Sequence, residues 1–155
     1  VEIRVAKTGS MEGMGELRWS DAREWMDPEL GNDMPLHDGC VVGVVPGAWR
    51  AVAGLVRAQG WAFQEPEPDG GTFHVWPAAG FMVNFFDAGD EVVFDVDTRE
   101  LQGQSGVDLL AGFLRELGRA FGLPVALALE GLDPLKKAYL RYEPVGDEFV
   151  FAASP

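Results

Sequence analysis

Two short constellations in this chain carry residue types that do chemistry. Asp95-Val96-Asp97 sets two carboxylates two residues apart. In a strand, alternation puts both on one side, about 6.8 Å apart at two rises of about 3.4 Å each. Their repulsion there is about 0.6 kcal/mol in water and about 2.4 kcal/mol at an effective dielectric of about 20. Half-buried, such a pair would call for Mg²⁺, Ca²⁺ or an arginine. Exposed, it is an ordinary solvated strand end. No glycine-rich phosphate loop and no second acidic motif accompanies it. No metal site is therefore assigned, Asp95 and Asp97 being the candidates if one exists, and no cofactor is expected.

The second constellation, His37-Asp38-Gly39-Cys40, collects an imidazole, a carboxylate and a thiol. In a turn, His37 and Cys40 can approach as base and nucleophile. Cys40 also opens an apolar run, however, and so reads as a small buried hydrophobe. With two histidines in the chain, a three-His zinc site is excluded. No GxSxG, HExxH, GxGxxG, Walker or EF-hand pattern occurs. Gly103-Gln104-Ser105-Gly106 reads as helix capping rather than an anion-binding turn. No catalytic residue is assigned, and the reading leans away from an enzyme.

Charge is the broader signal. Between Gly60 and Glu100 lie Glu65, Glu67, Asp69, Asp87, Asp90, Glu91, Asp95, Asp97 and Glu100 against a single base, Arg99, a net −8 of the chain's −13. An isoelectric point near 4.4 disfavours nucleic acid and anionic membrane surfaces as partners. Glu65-Pro66-Glu67-Pro68-Asp69 alternates acid and proline, which makes a stiff, negative loop. It reads as a docking finger for a basic surface or as a solvated hairpin loop. The expected partner-binding set is Glu65, Glu67, Asp69, Asp87, Asp90, Glu91, Asp95 and Asp97.

These residues need elements to hold them. A chain of 155 residues, 47% hydrophobic, can build one sizeable core. Residues 1–39 are loosely patterned, and Trp19 and Trp25 are expected to be partly exposed there. A short helix over 21–26 has Ser20 as its cap. Residues 40–155 form the expected core. Strands are predicted over 1–6, 40–45, 61–64, 72–76, 81–86 and 91–97, then over 124–129, 139–143 and 148–151. Pro46 starts one helix and Gly60 ends it. A second begins at a capping box of Ser105 and Asp108 and carries an apolar stripe of Val107, Leu110, Leu114, Leu117 and Phe121. The fold class is α+β: a single domain, mainly an antiparallel meander, with two main helices on one face. The element order over residues 40–121 resembles the TATA-box-binding-like and helix-grip folds in topology, and implies no function.

Register decides what the meander displays. A four-residue loop, 87–90, places Phe86 opposite Glu91 and Phe85 opposite Val92. One face is then Phe81, Val83, Phe85, Val92, Phe94 and Val96. The other is Met82, Asn84, Phe86, Glu91, Val93, Asp95 and Asp97. If residues 77–80 also form a four-residue connection, His74 and Trp76 join the apolar face, and that reading is preferred. A one-residue slip sends both to the acidic face.

The expected function is a non-enzymatic interaction module that binds a basic protein partner. In size, charge and lack of a catalytic motif the chain is similar to the immunity proteins that neutralise basic toxins. Nine arginines against three lysines suggest a GC-rich bacterial genome. One alternative is an enzyme or small-molecule binder with Asp95, Asp97 and His37 around one pocket; another is a self-associating module. The first ten residues lack a secretory apolar core, and no run of about 18 apolar residues occurs. A cytoplasmic location is expected.

Overall fold

Alternation of large apolar residues with polar ones sets the architecture. In the computed structural model, which describes residues 3–5, 16–66, 68 and 71–152, nine strands form one antiparallel sheet. The strands are β1 (Ile3–Val5), β2 (Leu36–Val41), β3 (Ala62–Gln64), β4 (Thr72–Ala78), β5 (Phe81–Ala88), β6 (Glu91–Asp97), β7 (Val125–Ala128), β8 (Leu140–Glu143) and β9 (Glu148–Ala152). Their order in space is β1-β9-β8-β7-β2-β6-β5-β4-β3. The helices are α1 (Trp19–Met26), α2 (Ala48–Gln59), α3 (Gly103–Phe121) and a short α4 (Pro134–Lys137). This is the expected α+β class, an antiparallel sheet with helices packed against it. No helix among the described residues is long and apolar enough to cross a membrane.

The expected core face is the one buried. Phe81, Val83, Phe85, Val92, Phe94 and Val96 are all shielded from solvent and join one cluster with Val52 and Val56 of α2 and Leu110, Phe113, Leu114 and Leu117 of α3. The register differs from expectation by two residues. Ala88 pairs with Glu91 and Phe85 with Phe94, so the β5–β6 loop is Gly89-Asp90 alone. Gly89 takes φ +70°, which a two-residue hairpin turn demands. A shift of two preserves parity, so each residue of this hairpin keeps its face.

The β4–β5 connection corrects the expectation for His74. Ala78 pairs with Phe81, and a bulge separates Val75 from Ala78. Val75 thereby lies in the core and His74 pairs with Asn84 on the opposite face, as does Trp76 by alternation.

Residues 17–39 are also more ordered than their pattern suggests. Leu17, Ala22, Trp25 and Met26 are buried, and Trp25 stacks on Tyr139 with centroids 5.2 Å apart. Trp19 is half-buried. Ser20 lies inside α1 rather than capping it; Arg18 holds the cap position. Gln104 does the capping instead, its Oε1 accepting from Trp19 N at 2.9 Å and its Nε2 donating to the Leu17 carbonyl. Likewise Gln102, and not Ser105, precedes α3.

Gly39 sits at the centre of the sheet, opposite Phe94. A Cβ there would overlap the Phe94 ring, which is itself held against Phe85 and Phe113. Gly39→Ala should therefore destabilise by about 1–3 kcal/mol. Gly54, inside α2, faces open space, and Gly54→Ala should stabilise by about 0.5–1 kcal/mol. Urea unfolding should show opposite midpoint shifts at an unchanged slope; equal midpoints would refute the packing described.

Candidate functional site: the open face of the sheet

Parity that sends the phenylalanines into the core sends a second set of side chains outward. Five of them line up across adjacent strands: Gln64 on β3, His74 on β4, Asn84 on β5, Asp95 on β6 and Asp38 on β2. His74 Nδ1 lies 2.6 Å from Asn84 Oδ1, and Asn84 Nδ2 donates to Asp95 Oδ1 at 2.8 Å. The contact between His74 Nδ1 and an amide oxygen requires the proton on Nδ1, which fixes the tautomer. Beside this polar row runs an apolar one: Thr72, Phe86, Val93, Cys40 and Ala126.

Burial pushes the Asp95 carboxyl above the usual carboxylate range. The Asn84 hydrogen bond opposes this, and the neighbouring charges of Asp38, Asp97 and Glu130 add to it. Asp97 behaves oppositely. Arg99 grips it in a fork, Nε to Oδ1 at 2.9 Å and Nη2 to Oδ2 at 2.7 Å, and holds its carboxyl low. Asp97 also caps the turn that follows β6 by accepting from Arg99 N. The Asp-Val-Asp pair is therefore one structural carboxylate and one raised one, not two equivalent ligands. Among the described residues, no three of His, Cys, Asp and Glu are placed to hold a metal ion.

Three of the remaining expected acids lie at one end of the sheet. Asp87, Asp90 and Glu91 flank the β5–β6 turn, and Asp87 N donates to the Gly71 carbonyl, which ties in the end of the loop after β3. Asp90 anchors the approach to α2, its Oδ1 accepting from Gly47 N at 3.1 Å. Glu65 is paired with Arg57 at 3.1 Å. Glu67 and Asp69 lie outside the described residues.

His37 and Cys40 do not form a pair. They lie in β2, three residues apart, so they point to opposite faces. The turn expected there is a strand, which begins at Leu36 and not at Cys40. His37 is wholly buried on the core side, its Nδ1 2.8 Å from the Tyr139 hydroxyl, while its Nε2 makes no well-formed hydrogen bond among the described residues. Asp95, Asp97 and His37 thus do not surround one pocket. His37 instead lines a cavity of about 250 Å³ between residues 31–34 and Leu129, Glu130 and Leu132. On the open side, burial pushes the Cys40 thiol up to about 11, so it is a protonated, weakly nucleophilic group.

One element the sequence pattern missed covers part of this face. Residues 129–137 fold back over β2 and β7. Gly131 N donates to Asp38 Oδ2 at 2.9 Å, and Glu130 Oε1 accepts from Leu36 N at 3.0 Å. Asp133-Pro134 is a legible signal for α4, an N-cap followed by proline at the first turn. No protein family model, curated protein or solved structure matches this chain.

Two titrations follow. Burial lowers the His37 pKa to about 4 from 6.5, against the opposing pull of the Met34 carbonyl and Asp97. Folding thus favours neutral His37, a contribution complete above about pH 6.5 and lost as pH falls toward 4. The loss is on the order of 3 kcal/mol. Urea unfolding from pH 7 to pH 4 should show a shallower decline for His37→Gln than for the parent; parallel declines would contradict this. For Asp95, whose folded pKa is raised, ionisation costs stability above that value, and acidification relieves the cost. Asp95→Asn should stabilise at pH 7, with the gain shrinking as pH falls. Carboxyl NMR should show Asp95 titrating above Asp97, and the reverse order would overturn the assignment.

Proposed function

We propose that this chain is a non-enzymatic binding module that docks a basic protein partner on the open face of its sheet. The observation that carries the reading is the make-up of that face. The larger helices pack on the other side, and the open side presents half-buried Trp76, Met82, Phe86 and Val93 among carboxylates. An apolar centre with a charged rim is the anatomy of a protein interface. The acids displayed there are Glu91 beside the β5–β6 turn and Asp38 and Asp95 within the polar row; Asp87 alternates with Phe85 onto the helix side, and Asp90 holds the entry to α2.

Such a face works in two stages. The field of a chain with net charge −13 steers a cationic partner and raises the association rate. Buried aromatic contact then sets the lifetime of the complex. Occlusion of a basic active surface, as in the immunity proteins that the chain is similar to in character, needs no chemistry from the binder. The absence of a His37–Cys40 pair and the Arg99 clamp on Asp97 favour binding over catalysis.

A partner isolated at low salt with the intact protein is expected to be basic. Its affinity should fall at least about tenfold between about 50 and about 500 mM salt. Phe86→Ala should raise the dissociation rate and leave the salt slope unchanged. An affinity constant across that salt range would refute the reading.

A further inference from the structure

A cavity of about 310 Å³ opens at the covered margin of the open face. Cys40 and Val93, cross-strand neighbours on β2 and β6, form part of its lining. Val44, from the loop after β2, and Pro134 and Leu135, from α4, add apolar wall. Val44 and Leu135 are left largely open to solvent, at 67% and 56% exposure. Two carboxylates complete the site, Glu91 from β6 and Asp133 from the cap of α4. Both charges reach the Cys40 thiol and help to raise it, which places them near the same wall.

Neither carboxylate is held in an ion pair among the described residues, Lys136 and Lys137 following Asp133 on α4 without a salt bridge to it. The Glu91 carboxylate has no hydrogen bond or ion pair among the described residues. Asp133 Oδ1 accepts from Leu135 N at 2.9 Å as a helix cap. Arg141, whose charge also reaches Cys40, is engaged by Glu143 at 3.1 Å.

We propose that this cavity receives one arginine or lysine side chain of the basic partner, its aliphatic stem against Val44, Val93, Pro134 and Leu135 and its cationic head on Glu91 and Asp133. The proposal rests on the reading of the preceding section and adds the anchor point. Apolar walls with carboxylates among them match an amphipathic cation, which buries methylenes while its head stays paired. A neutral apolar side chain would desolvate two carboxylates without compensation. An anionic one would be repelled.

The test uses n-butylguanidinium chloride as probe, with n-hexanol as a neutral counterpart, followed by methyl NMR on the whole chain. The guanidinium should shift the Val44, Val93 and Leu135 methyls. Glu91→Gln combined with Asp133→Asn, in which the asparagine keeps the helix cap, should weaken it about tenfold. Glu116→Gln, on α3 at the other side of the sheet, should leave it unchanged. Equal weakening by Glu116→Gln, hexanol binding as well as the guanidinium, or no shift at these methyls would overturn the proposal. If the salt-dependent capture of a basic partner persists in that event, only the anchor falls; loss of both removes the reading beneath it.

Discussion

The packing of Phe113 among Phe81, Phe85 and Phe94 is the interaction on which the rest of this structure depends. Phe113 on α3 meets Phe94 edge-on with centroids 5.2 Å apart, and Phe81 edge-on at 5.9 Å. Phe85 completes the group at 6.1 Å. Truncation of one such buried ring costs about 3–5 kcal/mol, a large share of a small domain's stability. The cluster pins the longest helix to the meander and thereby settles which face is core. Gly39 belongs to the same constraint, because only a residue without a side chain leaves room for the Phe94 ring over the central strand.

Burial of one face dictates the character of the other. Every residue that alternates with the phenylalanines is turned toward solvent, and the chain has filled those positions with polar, acidic and a few large apolar side chains. Several acids are then used structurally. Asp27 and Asp133 cap short helical turns, Asp90 holds the entry to α2, and Asp97 is clamped by Arg99. Asp147, at φ +48°, accepts from both Tyr142 and Arg115. On the open face a smaller set, Asp38, Asp95 and Glu91, lies on or beside the apolar row, and Asp38 also accepts from Gly131 N. The negative charge of this chain is thus partly architecture and partly display.

The division into faces was legible in the sequence because strand periodicity is two and Phe81, Val83, Phe85, Val92, Phe94 and Val96 all obey it, Phe86 and Val93 alone of the phenylalanines and valines there falling on the open face. Exact pairing was not legible. Asp87-Ala88-Gly89-Asp90 suits a loop of two or four residues, and the choice turns on the Gly89 backbone. His74 was misplaced because a bulge before Ala78 changes parity; Pro77, which cannot donate to the ladder, is its one mark in the sequence. His37 was missed as a core residue because an imidazole looks out of place there. The group that makes it tolerable, the Tyr139 hydroxyl, lies 102 residues away in sequence. The cap of α1 was hidden for the same reason, since Gln104 reaches it from another helix. The fold rests mostly on local pattern, whereas the site rests on long-range partners that spacing alone does not reveal.

Hydroxyl-radical footprinting of the free protein and of its complex with a basic partner tests the central claim most directly. In the free protein, Trp76, Met82 and Phe86 should be modified, while Trp25, Met26 and Phe94 are spared. In the complex, protection should appear at the first three residues. Modification of Met26 and Phe94 in the free protein would contradict the assignment of faces. Protection confined to Leu109 and its neighbours on α3 would contradict the open face as the docking surface.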